Sequence, residues 1–376
     1  MHETLGQLFI PLDLSVAVQV IILGFIGGIL SGFIGSGGAF FMTPGMMNLG
    51  VQGIVAVATN IAHKFGKAMM GSRKHGEMGN VDRKLGLFLV ITSFAGIRLA
   101  VWITSLLFEG AGGGHGEGKG AGANLYISLV FVCVLSLVAI SMLRDALRAR
   151  SEGEDAGPSR RITEVLAKLR LRPLIHFPVS DVKISLWILL VVGLATGYLA
   201  GTIGVGGFIG VPAMIYVFGV STTVAAGTEL FLAMFMGAFG ALNYAYEGYV
   251  DIRLTLLLYL GSLVGVYLGV YGTKVVREVM IRLVTGVIII LCVLSRGIAI
   301  PMYLRQLGVL EMDPHWDFYF NGASKVLLFA AGVVGAGIIL INVFRAYRQR
   351  AKVRASLATV AASASHEQIG AAKAVA

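Results

Sequence analysis

The chain has 376 residues, of which 56% are hydrophobic and only 13% charged, with a mean hydropathy of +0.83; an ordinary soluble domain carries roughly 25% charged residues. So few charges cannot cover a water-facing surface, which excludes a soluble globular protein, a disordered chain, a collagen and, with only Cys133 and Cys292 present, a disulfide scaffold. The net charge of +10 raises nucleic acid as a partner, but the basic residues lie between apolar spans, where they report orientation and contact with the anionic headgroups of a lipid bilayer instead.

In chain order, residues 1–13 contain no Lys or Arg, so neither a cleavable signal peptide nor a cytoplasmic start is expected. Residues 14–62 then run for 49 positions without Asp, Glu, Lys or Arg, and a single crossing takes about 20. The segment 64–84 carries six basic residues and reads as cytoplasmic. A span at 85–108 leads to a glycine-rich external loop, and a second span at 124–143 leads to 144–183, with nine basic residues, inside again. In that linker Ile162, Val165, Leu166 and Leu169 recur at helical spacing beside basic residues, which fits an interfacial helix or a solvated linker. Residues 184–228 form a second uncharged run, of 45 positions. After it come an external loop at 247–253, spans at 254–273 and 283–300, an acidic external loop at 301–322 and a last span at 323–344. The basic tail from Arg345 lies inside and reads as disordered after Leu357.

The two uncharged runs are copies. An offset of 169 residues superimposes Gly24, Gly28 and Gly32 on Gly193, Gly197 and Gly201, and Val81-Asp82 on Val250-Asp251. Over residues 24–101 there are 24 identities in 78 ungapped positions, where roughly a tenth is expected by chance. Each run must cross an odd number of times, as three short crossings or as one crossing with a re-entrant hairpin. The charge pattern places the copies in opposite orientations, with the N-terminus external and the C-terminus cytoplasmic. The expectation is an all-α polytopic membrane protein of two inverted repeats with glycine-broken helices, re-entrant or short, and about seven to nine spans. The divisions are 1–143 for repeat 1, 144–183 for the linker, 184–300 for repeat 2, and 301–376 for an external loop, extra span and tail.

The offset also aligns Gly35-Ser36-Gly37-Gly38 with Gly204-Val205-Gly206-Gly207, followed by Pro44 and Pro212. Three glycines in four positions weaken a helix at membrane depth, and unwound backbone is tolerated there only where it lines a cavity. Such a break offers an anion cradle of exposed N–H groups, or a kink for packing. The following helix carries Thr59 and then Asn60, His63, Lys64 and Lys67 on one face. That stripe either binds an oxyanion by charge-assisted hydrogen bonds or snorkels to headgroups. Its counterpart carries Thr228 and a lone acid, Glu229, which suits either proton coupling or a structural ion pair. Arg98 is open between a site role and an ion pair, and Asp82 and Asp251 read as helix N-caps. Metal-ligand spacings, nucleophile–base sets and dinucleotide fingerprints are not visible, so no enzyme, metal or cofactor is expected.

The segments GFIGGILSGFIGSGGAFFMTP and GLATGYLAGTIGVGGFIGVP, each followed by a helix and a Val-Asp loop, resemble the TauE/SafE family of sulfite-exporter-type permeases. The resemblance covers about residues 20–105 and 188–300. It implies a cell-membrane (inner-membrane) permease for sulfite, an organosulfonate or a related small organic anion. The substrate would be held by Gly35, Ser36, Gly37, Gly38, Thr59, Asn60, His63, Lys64, Lys67, Gly204, Gly206, Gly207 and Thr228, with Glu229 for proton coupling. Ala39 and Phe208 stand where a third glycine is expected, and the basic linker and extra span also depart from the pattern. Alternatives are an uncoupled anion channel and a membrane-embedded sulfur-handling enzyme or assembly subunit. A homo-oligomer is compatible with the sequence.

Overall fold

The computed structural model describes residues 8–34, 38–110, 120–152, 172–204, 206–273 and 278–374. Helix α1 (Leu14–Ile34) starts where Asp13 Oδ1 accepts from Val16 N at 2.7 Å, an N-cap bond. A short helix α2 (Ala39–Asn48) follows, then α3 (Gly53–Glu77), α4 (Arg83–Gly110) and α5 (Ala121–Glu152). Strands β1 (Leu174–Phe177) and β2 (Val182–Ser185) pair antiparallel, Leu174 opposite Ser185. Helix α6 (Leu186–Ile203) leads to α7 (Gly207–Pro212), which continues as a π-helical turn over Ala213–Val217. Helices α8 (Thr222–Tyr246), α9 (Ile252–Thr273), α10 (Glu278–Gln306) and α11 (His315–Ala374) complete the chain.

Eight of these helices are long and apolar enough to cross a bilayer: α1, α4, α5, α6, α8, α9, α10 and α11. At 10 residues α2 spans only about 15 Å, half of the ~30 Å hydrocarbon core. Each long uncharged run therefore resolves into a crossing, a half-length helix and a further long helix. Pro212 removes a ladder donor, and the turn after it widens from α to π.

Two features differ from the sequence expectation. Residues 174–185, read as the end of the basic linker and the start of the second uncharged run, form a β-hairpin, favoured by the β-branched Ile175, Val182 and Ile184. Helix α11 continues to Ala374, beyond Leu357, in a stretch rich in alanine, the strongest helix former. Most of the linker and of the glycine-rich loop lies outside the described residues.

The element boundaries recur at the 169-residue offset: α3 and α8 correspond at both ends, and α4 and α9 at their starts. Packing is reciprocal as well. Helix α1 lies along α9, and α6 along α4, while α3 packs on α8 and α5 on α10. The glycine ridges make the close approaches. A Cβ on Gly24 or Gly28 would sit 2.6 Å from the carbonyl oxygen of Leu258 or Ser262, and Gly193 and Gly197 face Leu89 and Ser93 in the same register. Small residues every fourth position let the backbones touch, which is how helices associate where lipid gives no hydrophobic drive. The equivalent helices α3 and α8 run antiparallel, because Gly240 faces Ile61 while Leu230 faces Gly71.

Candidate functional site

Helices α2 and α3, distant in sequence from the second break, meet it at the end of α6. Thr43 Oγ1 in α2 donates to Ile203 O at 3.2 Å, and Asn60 Nδ2 in α3 donates to Thr43 Oγ1 at 2.7 Å and Ala39 O at 3.2 Å. Gly204 ends α6 in the left-handed conformation, φ +77°. A Cβ there would lie 3.0 Å from Asn60 Nδ2 and 3.2 Å from Thr43 Oγ1, so conformation and space both favour glycine. Asn60 Oδ1 is buried without a hydrogen-bond partner. Gly38 is buried against the Gly27 carbonyl, and Gly206 and Gly207 are buried at the start of α7. Gly35, Ser36 and Gly37 lie outside the described residues.

One turn beyond Asn60, the half-buried Lys64 extends toward the second break, its Nζ 3.5 Å from where a Gly206 Cβ would be. Glu229 on α8 approaches the same place from the other side. It is 3% exposed and lies against Gly210, whose Cβ would come within 2.9 Å of its Cδ. Neither carboxylate oxygen has a hydrogen-bond partner, although Lys64 and Glu229 interact electrostatically. A cation and an anion thus face each other without a direct bond, beside an unsatisfied amide oxygen. Burying polar groups without partners is costly.

The stripe on α3 divides in two. Asn60 and Lys64 face the breaks, whereas His63 and Lys67 face α1 and α9: His63 Nε2 hydrogen-bonds Ser262 Oγ at 2.7 Å, and Lys67 Nζ donates to Ser31 Oγ at 2.9 Å. Tyr259 reaches between the rows. Its hydroxyl accepts from Gly66 N at 3.1 Å and donates to Ala62 O at 3.2 Å, bonding both members of one helical ladder pair. Its two bonds bracket Lys64 in sequence.

Thr59 and Thr228 stand elsewhere. The Thr59 hydroxyl accepts from Asp251 N at 3.3 Å and Thr228 from Asp82 N at 3.0 Å, each holding the turn of the other repeat. Asp82 and Asp251 are N-caps: their Oδ1 atoms accept from Leu85 N at 3.0 Å and Leu254 N at 3.4 Å. Arg98 lies half out of the protein and takes the ion-pair role, 3.6 Å from Glu247.

Sequence reading missed Arg296. It lies in the span read as apolar at 283–300, yet is 1% exposed, donating to Asn48 Oδ1 at 2.9 Å, Ser128 Oγ at 3.2 Å and the Tyr303 hydroxyl at 2.8 Å. Ser324 of α11 also bonds Asn48, so this cluster joins the end of α2 to the last helix. The signal was present, since an arginine within an apolar run is expensive unless polar partners converge on it. At the offset of 169, Ile127 corresponds to Arg296 and Val217 to Asn48, so only one repeat has the clamp.

Among the described residues no group of three or more His, Cys, Asp and Glu is placed to hold a metal ion. A family model described as Sulfite exporter TauE/SafE matches residues 20–296. The chain is similar to three proteins of Bacillus subtilis (strain 168), each named a probable membrane transporter protein. It is 28% identical to YjnA over 67% of this chain and 89% of that one. For YdhB the identity is 25%, with coverages of 70% and 93%, and for YunE it is 22%, with 73% and 94%. No solved structure matches. The family and these names are those of membrane transporters, not of enzymes.

Proposed function

Because the chain belongs to the TauE/SafE sulfite exporter family of membrane transporters, we propose that it carries a small oxyanion, sulfite, an organosulfonate or a related organic anion, through the place where the two broken helices meet. The observation that carries this reading is the buried Glu229 carboxylate and Asn60 amide oxygen, both without a hydrogen-bond partner, with the half-buried Lys64 interacting electrostatically with Glu229. Lys64 supplies the charge for an oxyanion and Asn60 a polar neighbour. Gly204 and Gly206 let Asn60 and Lys64 lie close against the backbone of the second break. His63 and Lys67 tune the charge from the α1 and α9 side.

Glu229 is the proton-coupling group in this reading. When it is ionised it competes with the anion for Lys64, and when protonated it leaves Lys64 to the substrate. Binding of anion and proton is thereby linked. The antiparallel run of the equivalent helices α3 and α8 supports two repeats inserted in opposite senses. The positive tail supports a cytoplasmic C-terminus in the cell (inner) membrane.

Export of a dianion from a cell negative inside gains about 4.6 kcal/mol per 100 mV, so only uptake requires the coupled proton. The test is flux in proteoliposomes of the full chain with sulfite, sulfonates and sulfate, with and without a pH gradient. Saturable flux of one of these that is weakened in Lys64→Ala through a raised KM supports the reading. Absence of flux for all of them from well-incorporated protein overturns it.

A further inference from the structure

Far from the breaks, the C-terminal end of α9 and the middle of α11 wall a groove of about 890 Å³. The helices touch where Gly272 meets Ile339, a Cβ on Gly272 lying 3.0 Å from Ile339 Cγ2. The groove has an aliphatic floor, with Leu268 and Leu340, and a polar, aromatic rim of Tyr267, Tyr271, Phe344, Arg345, Tyr347 and Arg348. The rim is open to the surroundings: Tyr267 is 79% and Tyr347 65% exposed. Arg348 is held over the Phe344 ring, 4.5 Å from its centroid.

The charge of the rim is not balanced from its walls. Helix α9 contains no Asp or Glu, and neither does α11 between Asp317 and Glu367. Five basic residues, Arg345, Arg348, Arg350, Lys352 and Arg354, follow one another there. An apolar floor that ends at tyrosines and two arginines, at the end of a spanning helix, has the layout of an acyl chain below a phosphate. Arginine offers a planar fork for phosphate oxygens, and tyrosine keeps an apolar ring beside a polar tip at the membrane–water boundary. Basic residues that follow a span lie on the cytoplasmic side, where acidic lipids give the leaflet its negative potential.

We propose that this groove binds an anionic phospholipid of the cytoplasmic leaflet, its phosphate on Arg345 and Arg348 and an acyl chain along Leu268 and Leu340. The site backs on α9, the helix that packs along α1 through Gly24 and Gly28, so the lipid braces the helix pair leading to the first break. The proposal is independent of the transported substrate.

The experiment uses the full chain purified in detergent, with phosphatidylglycerol, phosphatidylcholine of the same acyl chains, and glycerol phosphate as a headgroup without chains. Melting temperature and the number of lipids retained in native mass spectrometry are read together. Phosphatidylglycerol is expected to stabilise saturably and to remain bound, with apparent affinity roughly thirtyfold weaker in Arg345→Gln/Arg348→Gln, at two basic side chains on one headgroup. Arg73→Gln, which removes an exposed charge paired with Glu77, retains the parent response. Equal stabilisation by phosphatidylcholine, an unchanged double variant, or full stabilisation by glycerol phosphate alone would each overturn the proposal. So would a parent dimer that the double variant dissolves, because the groove would then hold a second copy.

Discussion

One methyl group added at Gly210 asks whether Glu229 couples protons to transport. In Gly210→Ala the new Cβ would lie 2.9 Å from Glu229 Cδ, and nearer still to Oε2, where ordinary contacts are 3.4–4 Å. The carboxylate must then retreat by about 1 Å or more, and a displacement of that order in a positioned group costs up to about a hundredfold in rate. A tenfold to hundredfold lower initial rate of pH-gradient-driven uptake is expected, although Glu229 itself is unchanged. Glu229→Gln removes the charge and keeps the shape. One coupled proton is worth about 1.4 kcal/mol per pH unit, so a gradient of about one unit supports about tenfold accumulation in the parent. The amide should bring this to about onefold while leaving anion exchange partly intact, because it mimics the protonated acid. If Gly210→Ala acts through the carboxylate, combining the two should be no worse than Glu229→Gln alone, a non-additivity that identifies a shared mechanism. The assay is accumulation and exchange in proteoliposomes at matched protein content. Parent-like accumulation in Glu229→Gln refutes the coupling role and leaves a uniporter driven by membrane potential. A parent-like initial rate in Gly210→Ala refutes the contact.

Lys64→Ala should raise the KM for the anion by roughly tenfold to a hundredfold, the value of one charge-assisted hydrogen bond, measured as concentration dependence of exchange. Thr59→Val and Thr228→Val should each lower stability by about 1–2 kcal/mol, seen in thermal melting, and leave KM unchanged, because each hydroxyl accepts a backbone N–H of the opposite repeat. A raised KM at either threonine would return it to the substrate. Cysteines placed singly at Arg73 and Arg83 should react with an impermeant reagent only from the cytoplasmic side, and at Glu247 and Asp313 only from outside. Cytoplasmic labelling at Glu247 would remove the opposed orientation of the repeats.

Sequence reading reached furthest where the physics is local or repeated. Low charge and long apolar runs determine that the chain belongs in a bilayer, because backbone and side chains there must satisfy themselves without water. The offset of 169 residues, carried by Gly24, Gly28, Gly32 and the Val-Asp pairs, anticipated where elements begin and end, and the caps at Asp82 and Asp251 follow from residue type and position alone. The β-hairpin at 174–185 was lost because a four-residue strand leaves too short an alternation to distinguish from linker.

Which residues share a space was not legible, because helical periodicity gives a face but not the neighbour opposite it. Asn60, His63, Lys64 and Lys67 read as one stripe; the approach of α1 and α9 on one side and of the second break on the other divides it. Thr59 and Thr228 look available in sequence, yet the fold brings Asp251 N and Asp82 N to them across 192 and 146 residues. Arg296 is an anomaly in one dimension; in three, Asn48 and Ser128 from two other helices and Tyr303 from its own accept from its terminal nitrogens. By itself the sequence determined the membrane, the duplication and the glycine breaks, all set by composition and spacing along the chain. Only the tertiary structure decided that Lys64 and Glu229 face each other across the second break, because that depends on two antiparallel helices packing closely enough to enclose both charges.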